Sequence, residues 1–130
     1  MVKADEEVLG CACPGYVNEP RPGKAGAAEL AAWDAADQET AERAGAILAA
    51  DGDAGPPRVS FVYLGAVDFA GHATGAGDAY LAALRAADQR VGRLLGAVRG
   101  RPSGPRERWT AVVVTDHGHL DEGGHGGREP

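Results

Sequence analysis

Each of the four histidines in this chain lies a few residues beyond an apolar run and has an aspartate within four residues of it. His117, His119 and His125 fall in Thr115-Asp116-His117-Gly118-His119-Leu120-Asp121-Glu122-Gly123-Gly124-His125-Gly126-Gly127, directly after Trp109-Thr110-Ala111-Val112-Val113-Val114. His72 closes Val67-Asp68-Phe69-Ala70-Gly71-His72, soon after Val59-Ser60-Phe61-Val62-Tyr63-Leu64. Imidazole and carboxylate without thiolate form a donor set suited to zinc, manganese or iron. Asp68 and His72 are four apart, which puts both on one face if the segment makes a helical turn, with Gly71 giving the backbone freedom to bring them in. Alone, this D-x-x-G-H pattern is a weak signal, and an ordinary loop is the favoured reading of it. Asp116 and His117 at a strand end, on a glycine-bounded turn, have little packing value and are more specific. His125 sits between two glycine pairs, so only its side chain has polar chemistry to offer there; the competing reading is an exposed loop histidine. His119, beside Asp121 and Glu122, reads as solvent-facing polarity or as support for a ligand, and is not placed on a metal.

Two strands must deliver these loops. Val59–Leu64 and Trp109–Val114 are apolar at nearly every position, the pattern of strands covered on both faces, as in a parallel sheet. Between them, Gly65–Gly77 is a glycine-rich segment, and a helix is expected from about Asp78 to Val98. Its apolar positions Leu81, Leu84, Val91, Leu94, Leu95 and Val98 mark a face packed on a sheet, with Asp78 as N-cap. Gly100–Glu107, with Pro102 and Pro105, is expected to be a surface loop. Strand, helix, strand over this length is most simply a βαβ unit with a right-handed crossover. Its parallel strands end at one edge, so Asp68 and His72 would emerge beside Asp116, His117 and His125. Ligands of open α/β sheets bind at that edge.

Upstream, Ala27–Ala50 is alanine-rich, with Leu30, Trp33, Ala41, Ala44, Ile47 and Leu48 near helical spacing and Glu39, Glu42 and Arg43 on the wet side. Asp37 interrupts that apolar stripe. Trp33 on the stripe is a packing residue. Asp51-Gly52-Asp53 and Gly55-Pro56-Pro57 end the helix. Val8–Ala12 could form a short strand, followed by a turn-rich stretch with no catalytic pattern. Cys11 and Cys13, one residue apart, are too close for an ordinary disulfide and do not make a zinc C-x-x-C.

At 130 residues the chain is at most one domain. Its net charge of −6 argues against a nucleic-acid-binding face, yet permits a phosphate substrate, because bound cations would dominate the local field. No apolar segment approaches membrane-spanning length, and Met1–Glu7 lacks the apolar core of a signal peptide.

Taken together, V-D-F-A-G-H at 67–72, the helix A-Y-L-A-A-L-R-A-A-D-Q-R-V-G-R-L-L at 79–95, T-D-H-G-H at 115–119 and G-G-H-G-G at 123–127 resemble the type I phosphodiesterase/nucleotide pyrophosphatase family of the alkaline phosphatase superfamily. The resemblance covers about Arg58 to Gly127. It implies an α/β fold, here a partial alkaline-phosphatase-like three-layer sandwich with the parallel βαβ unit. It also implies a site of two divalent metal ions, usually zinc, acting on phosphodiesters or nucleotides as small-molecule substrates. Carried over residue by residue, Asp68, His72 and His125 look like ligands of one metal, and Asp116 and His117 like two ligands of the other, which leaves the second site incomplete.

The family also places a further aspartate and a Thr or Ser nucleophile upstream of D-x-x-G-H, and neither is found here. Thr40 falls mid-helix, Thr74 matches no family position, and Thr115 precedes Asp-His, which is not the nucleophile's place. The expectation is therefore a partial catalytic domain over 1–130, with 1–57 as lead-in and 58–130 as the metal-binding unit. Two or three parallel strands with open edges make a poor independent sheet, so an N-terminal segment is expected to complete it. The alternatives are a non-catalytic metal-binding remnant of such an enzyme and an inert shortened product.

Overall fold

A computed structural model describes residues 26–50 and 58–126, and most of them are helical. The elements are α1 (Ala27–Ala49), α2 (Ala66–Thr74), α3 (Asp78–Arg99), a single 3-10 turn at Gly104–Arg106, β1 (Gly118–His119) and β2 (His125–Gly126). The expected strand near Val8, the two cysteines and the Asp51–Pro57 helix stop lie outside the described residues.

Alanine, the strongest helix former, dominates α1. At its start the Glu29 carboxylate accepts the Gly26 N–H at 2.8 Å, satisfying a donor that the helix leaves open. The buried stripe runs Trp33, Ala36, Asp37, Ala41, Ala44 and Leu48, and the expected wet-side Glu39, Glu42 and Arg43 are exposed. Trp33 stacks on Phe69 of α2, ring centroids 5.5 Å apart, in a core shared with Ala66, Ala73 and Leu30. Gly65 lets the indole approach: a Cβ there would lie 2.7 Å from the Trp33 ring.

Asp37 does not disturb the stripe. Its carboxylate accepts the N–H groups of Gly65 at 2.8 Å and Ala66 at 3.0 Å, at the start of α2. This is a helix cap supplied from another helix, and it fixes where α2 begins. Burial raises the Asp37 carboxyl against the lowering effect of those two hydrogen bonds and of Arg90. Arg90, itself buried, donates to the Asp34 carbonyl at 2.9 Å and carboxylate at 2.6 Å, joining α3 to α1. The helix α3 starts at Asp78 with Gly77 as its cap, so Asp78 is the first helical residue and not the N-cap.

The parallel βαβ unit and the α/β sandwich expected from the sequence are not present. The single β pairing among the described residues is antiparallel, two residues on each side, with Gly118 opposite Gly126 and His119 opposite His125. Val59–Leu64 and Trp109–Val114 form no strand. A strand exists through the neighbour that takes its N–H and C=O groups, and these two runs do not pair with each other. Most of their side chains stay exposed, Phe61 at 88% and Val114 at 79%, with Val62 and Leu64 half-buried. Correspondingly, α3 packs on α1 and α2 and not on a sheet, and Leu81 and Leu84 remain exposed. The segment expected as a glycine-rich loop is largely the helix α2. The expected surface loop Gly100–Glu107 contains the 3-10 turn and a buried arginine, Arg101. No helix among the described residues is long and apolar enough to cross a membrane.

Candidate metal centre

The helix α2 carries Asp68 and His72 one turn apart, so both side chains rise on the same face. After residues 109–115, which form no helix or strand, the chain returns across that face with His117 and, two residues on in β1, His119. Each of Asp68, His72, His117 and His119 offers one ligand atom, and these atoms all lie within 4.8 Å of one another. Asp68 Oδ1 is the hub. It lies 3.4 Å from His72 Nε2, 3.5 Å from His117 Nε2 and 3.2 Å from His119 Nε2.

The rings are held edge to face. His119 meets His72 and His117 with centroids 5.0 Å apart in each case, and Tyr80 of α3 closes its other side at 5.5 Å. His117 Nδ1 lies 3.0 Å from the Gly118 carbonyl. In the tautomer with the proton on Nδ1, that carbonyl would take the N–H and Nε2 would carry the lone pair a metal needs, an arrangement common for metal-binding imidazoles. Desolvation lowers the pKa of His119, against the raising effect of Asp68. The shift favours the neutral ring, the form that binds metals.

Gly71 is the residue that admits His119. It lies within α2, and a Cβ there would be 2.6 Å from His119 Nδ1 and closer still to the ring carbons. Its role is absence of bulk and not, as expected from the sequence, backbone freedom. Gly75, with φ of +71°, ends α2 and lies so close to the Asp121 carbonyl that a Cβ would overlap it. Gly123 and Gly124, at φ of 96° and 85°, turn the chain between β1 and β2. We expect Gly71→Ala to cost about 1–3 kcal/mol, the usual range for forcing a methyl group into a packed site. A thermal melt should show that loss, and zinc affinity should fall with it.

Of the five ligands expected from sequence, Asp68, His72 and His117 come together. Asp116 stays at the rim, its side chain 89% exposed with Oδ2 3.8 Å from His117 Nε2. The register puts the His125 backbone opposite His119, and its side chain lies outside the described residues. His119 was expected to face solvent or to support a ligand. Its side chain is 3% exposed and lies within the cluster, which removes the solvent-facing reading. The parity of His117 and His119 in an extended segment was the signal that could have found it.

The donor chemistry fits a divalent cation. A tetrahedral zinc site with ligand bonds of about 2.0–2.1 Å has ligand–ligand edges of about 3.3 Å. The three carboxylate-to-imidazole separations, 3.4, 3.5 and 3.2 Å, match that edge. Nearby hydroxyls are committed elsewhere: Thr74 donates to the Ala70 carbonyl at 2.8 Å and Thr115 to the His117 carbonyl at 2.7 Å.

The family model described as type I phosphodiesterase / nucleotide pyrophosphatase matches residues 12–125. No curated protein and no solved structure matches.

Proposed function

Since this chain belongs to the type I phosphodiesterase / nucleotide pyrophosphatase family, we propose that it supplies the metal-binding part of a hydrolase acting on phosphodiesters or nucleotide pyrophosphates. The observation that carries this reading is the convergence of His72, His117 and His119 Nε2 on Asp68 Oδ1. Asp68, His72 and His117 are the core ligands. Asp116 and His125 complete the set that the family pattern implies, distributed over two divalent cations such as zinc. Bound there, the cations supply positive charge for the attacking and leaving oxygens of an in-line displacement at phosphorus. Asp68 and Asp116 offset part of that charge, and the His117 Nδ1 contact with the Gly118 carbonyl fixes the ring that binds.

A second reading, a non-catalytic metal-binding remnant, is favoured by one observation. The hydroxyls of Thr74 and Thr115 are tied to backbone carbonyls and so are not poised as nucleophiles. One experiment separates the two. The full chain is stripped with chelator, reloaded with zinc or manganese, and assayed for bound metal and for hydrolysis of an aryl phosphodiester. Bound metal with metal-dependent turnover supports the hydrolase. Bound metal without turnover supports the remnant. A chain that retains no metal overturns both.

A further inference from the structure

We propose that His119 is a positioning residue for Asp68: its Nε2–H donates to Asp68 Oδ1 and holds that carboxylate ready for the cation, while the His119 ring binds none. This rests on the metal-binding reading above and adds a role for a histidine to which the carried-over ligand set assigns none. The two neighbouring histidines differ in what their Nδ1 atoms meet. His117 Nδ1 lies 3.0 Å from the Gly118 carbonyl, so its proton can be accepted there and its Nε2 left bare for a cation. His119 Nδ1 is buried with no hydrogen-bond partner. Its Nε2 instead meets Asp68 Oδ1 at 3.2 Å, the shortest of the three imidazole contacts with that oxygen and within hydrogen-bonding reach. With the proton on Nδ1, a bare Nε2 would face an anionic oxygen, and a buried N–H would have no acceptor. With the proton on Nε2, the carboxylate accepts it in a charge-assisted bond, and only the Nδ1 lone pair is left over.

The surroundings fix the ring in that direction. The His119 side chain is 3% exposed. The helix α2 carries Gly71 where a Cβ would strike the ring, and Tyr80 of α3 lies against it with centroids 5.5 Å apart. A ring confined in this way holds the Asp68 carboxylate beside His72 and His117. A carboxylate has about four lone-pair sites, so one bond from His119 leaves the others for a cation. Carboxylates that bind metals are themselves hydrogen-bonded, and loss of such a supporting partner lowers metal affinity.

Zinc affinity of the full chain, read by competition against a chromophoric chelator, tests this with two variants. His119→Gln keeps a side-chain N–H donor of similar reach and loses the imidazole. His119→Phe keeps an aromatic ring against Tyr80 and offers no donor. His119→Phe should bind zinc about 10–100-fold more weakly than the parent, and His119→Gln less than ~10-fold more weakly. Parent affinity in His119→Phe would reduce the ring to packing and overturn the proposal. Equal losses in the two would overturn it as well, by making the imidazole a ligand. Where either variant melts below the parent without metal, the zinc-loaded parent decides. Long-range proton–nitrogen NMR correlations should then show His119 carrying its proton on Nε2, with neither ring nitrogen shifted by zinc. A bare or zinc-bound Nε2 would sink the assignment. Each of these failures leaves zinc bound to the parent and the proposed function standing, whereas a parent that binds no zinc removes both.

Discussion

Asp68→Asn is expected to weaken zinc binding by more than ~100-fold, the upper end of what is lost when a group that merely orients a ligand is removed. Asp68 is the one carboxylate at the centre of the cluster, with its Oδ1 within 3.5 Å of three imidazole nitrogens. The other three members are imidazoles, so Asp68 supplies the only formal negative charge among the four. Asparagine keeps the shape and a carbonyl oxygen but surrenders that charge. Asp116→Asn is the control. Its carboxylate is 89% exposed at the rim, where water screens it, so its loss should cost far less. Competition against a chromophoric chelator gives both affinities. Melting curves with and without zinc add a second readout, since a ligand bound only by the folded state raises its stability. Zinc should raise the melting temperature of the parent and of Asp116→Asn but not that of Asp68→Asn. Parent-like affinity in Asp68→Asn would mean that the cation, if any, is held elsewhere.

The parts of this molecule that were legible in the sequence are those set by local pattern. Alanine content and the spacing of Trp33, Ala41, Ala44 and Leu48 specify α1, and the apolar face of residues 81–98 specifies α3. The parts that were not legible depend on distant partners. An apolar run such as Val112-Val113-Val114 shows that a segment is strand-competent, but whether it pairs is decided by another chain segment. Here the two runs do not pair, and Phe61 and Val114 face outward. Asp37 looked like a flaw in a helix face because its partners, the N–H groups of Gly65 and Ala66, lie 28 and 29 residues away. Gly71 looked like a flexible point because glycine in a helix usually weakens it; its reason, room for His119, becomes visible only once the chain has folded back. The site survived the failure of the expected sheet because Asp68 and His72 need only one helical turn, and His117 and His119 only an extended segment.

A large stability loss should come from Arg101→Met, on the order of 1–3 kcal/mol for the buried Leu48 carbonyl left without its donor, with more from the second carbonyl that it serves. The Arg101 guanidinium is buried and sits over the Trp109 ring at 6.0 Å from its centroid. It donates to the Leu48 carbonyl at 2.7 Å and to that of Ala50, so it satisfies carbonyls that the end of α1 leaves open. It also holds both Glu107 oxygens, at 2.8 and 3.1 Å. One side chain therefore ties the end of α1 to the segment that leads toward the histidines. Methionine fills the space but leaves those carbonyls without their donor and takes the cation from Glu107, which keeps its hydrogen bonds from Ser103 and Trp109.

The same contact predicts an acid limb. Hydrogen bonds from Arg101, then Ser103 and Trp109, lower the Glu107 carboxyl from 4.5 to about 2. Because the folded value is the lower one, the contribution is complete above 4.5 and fades as pH falls from there through about 2. Asp37 runs the other way: burial raises its carboxyl, so ionising it works against the fold as pH rises through the acid range. Comparing Glu107→Gln with the parent isolates the Glu107 contribution, since Asp37 is common to both. Melting temperature followed from pH 5 to pH 2 should fall steeply in the parent and less steeply in Glu107→Gln. If the two acid limbs run parallel, the Arg101–Glu107 contact does not form in solution, and the case for a large Arg101→Met effect would rest on the α1 carbonyls alone.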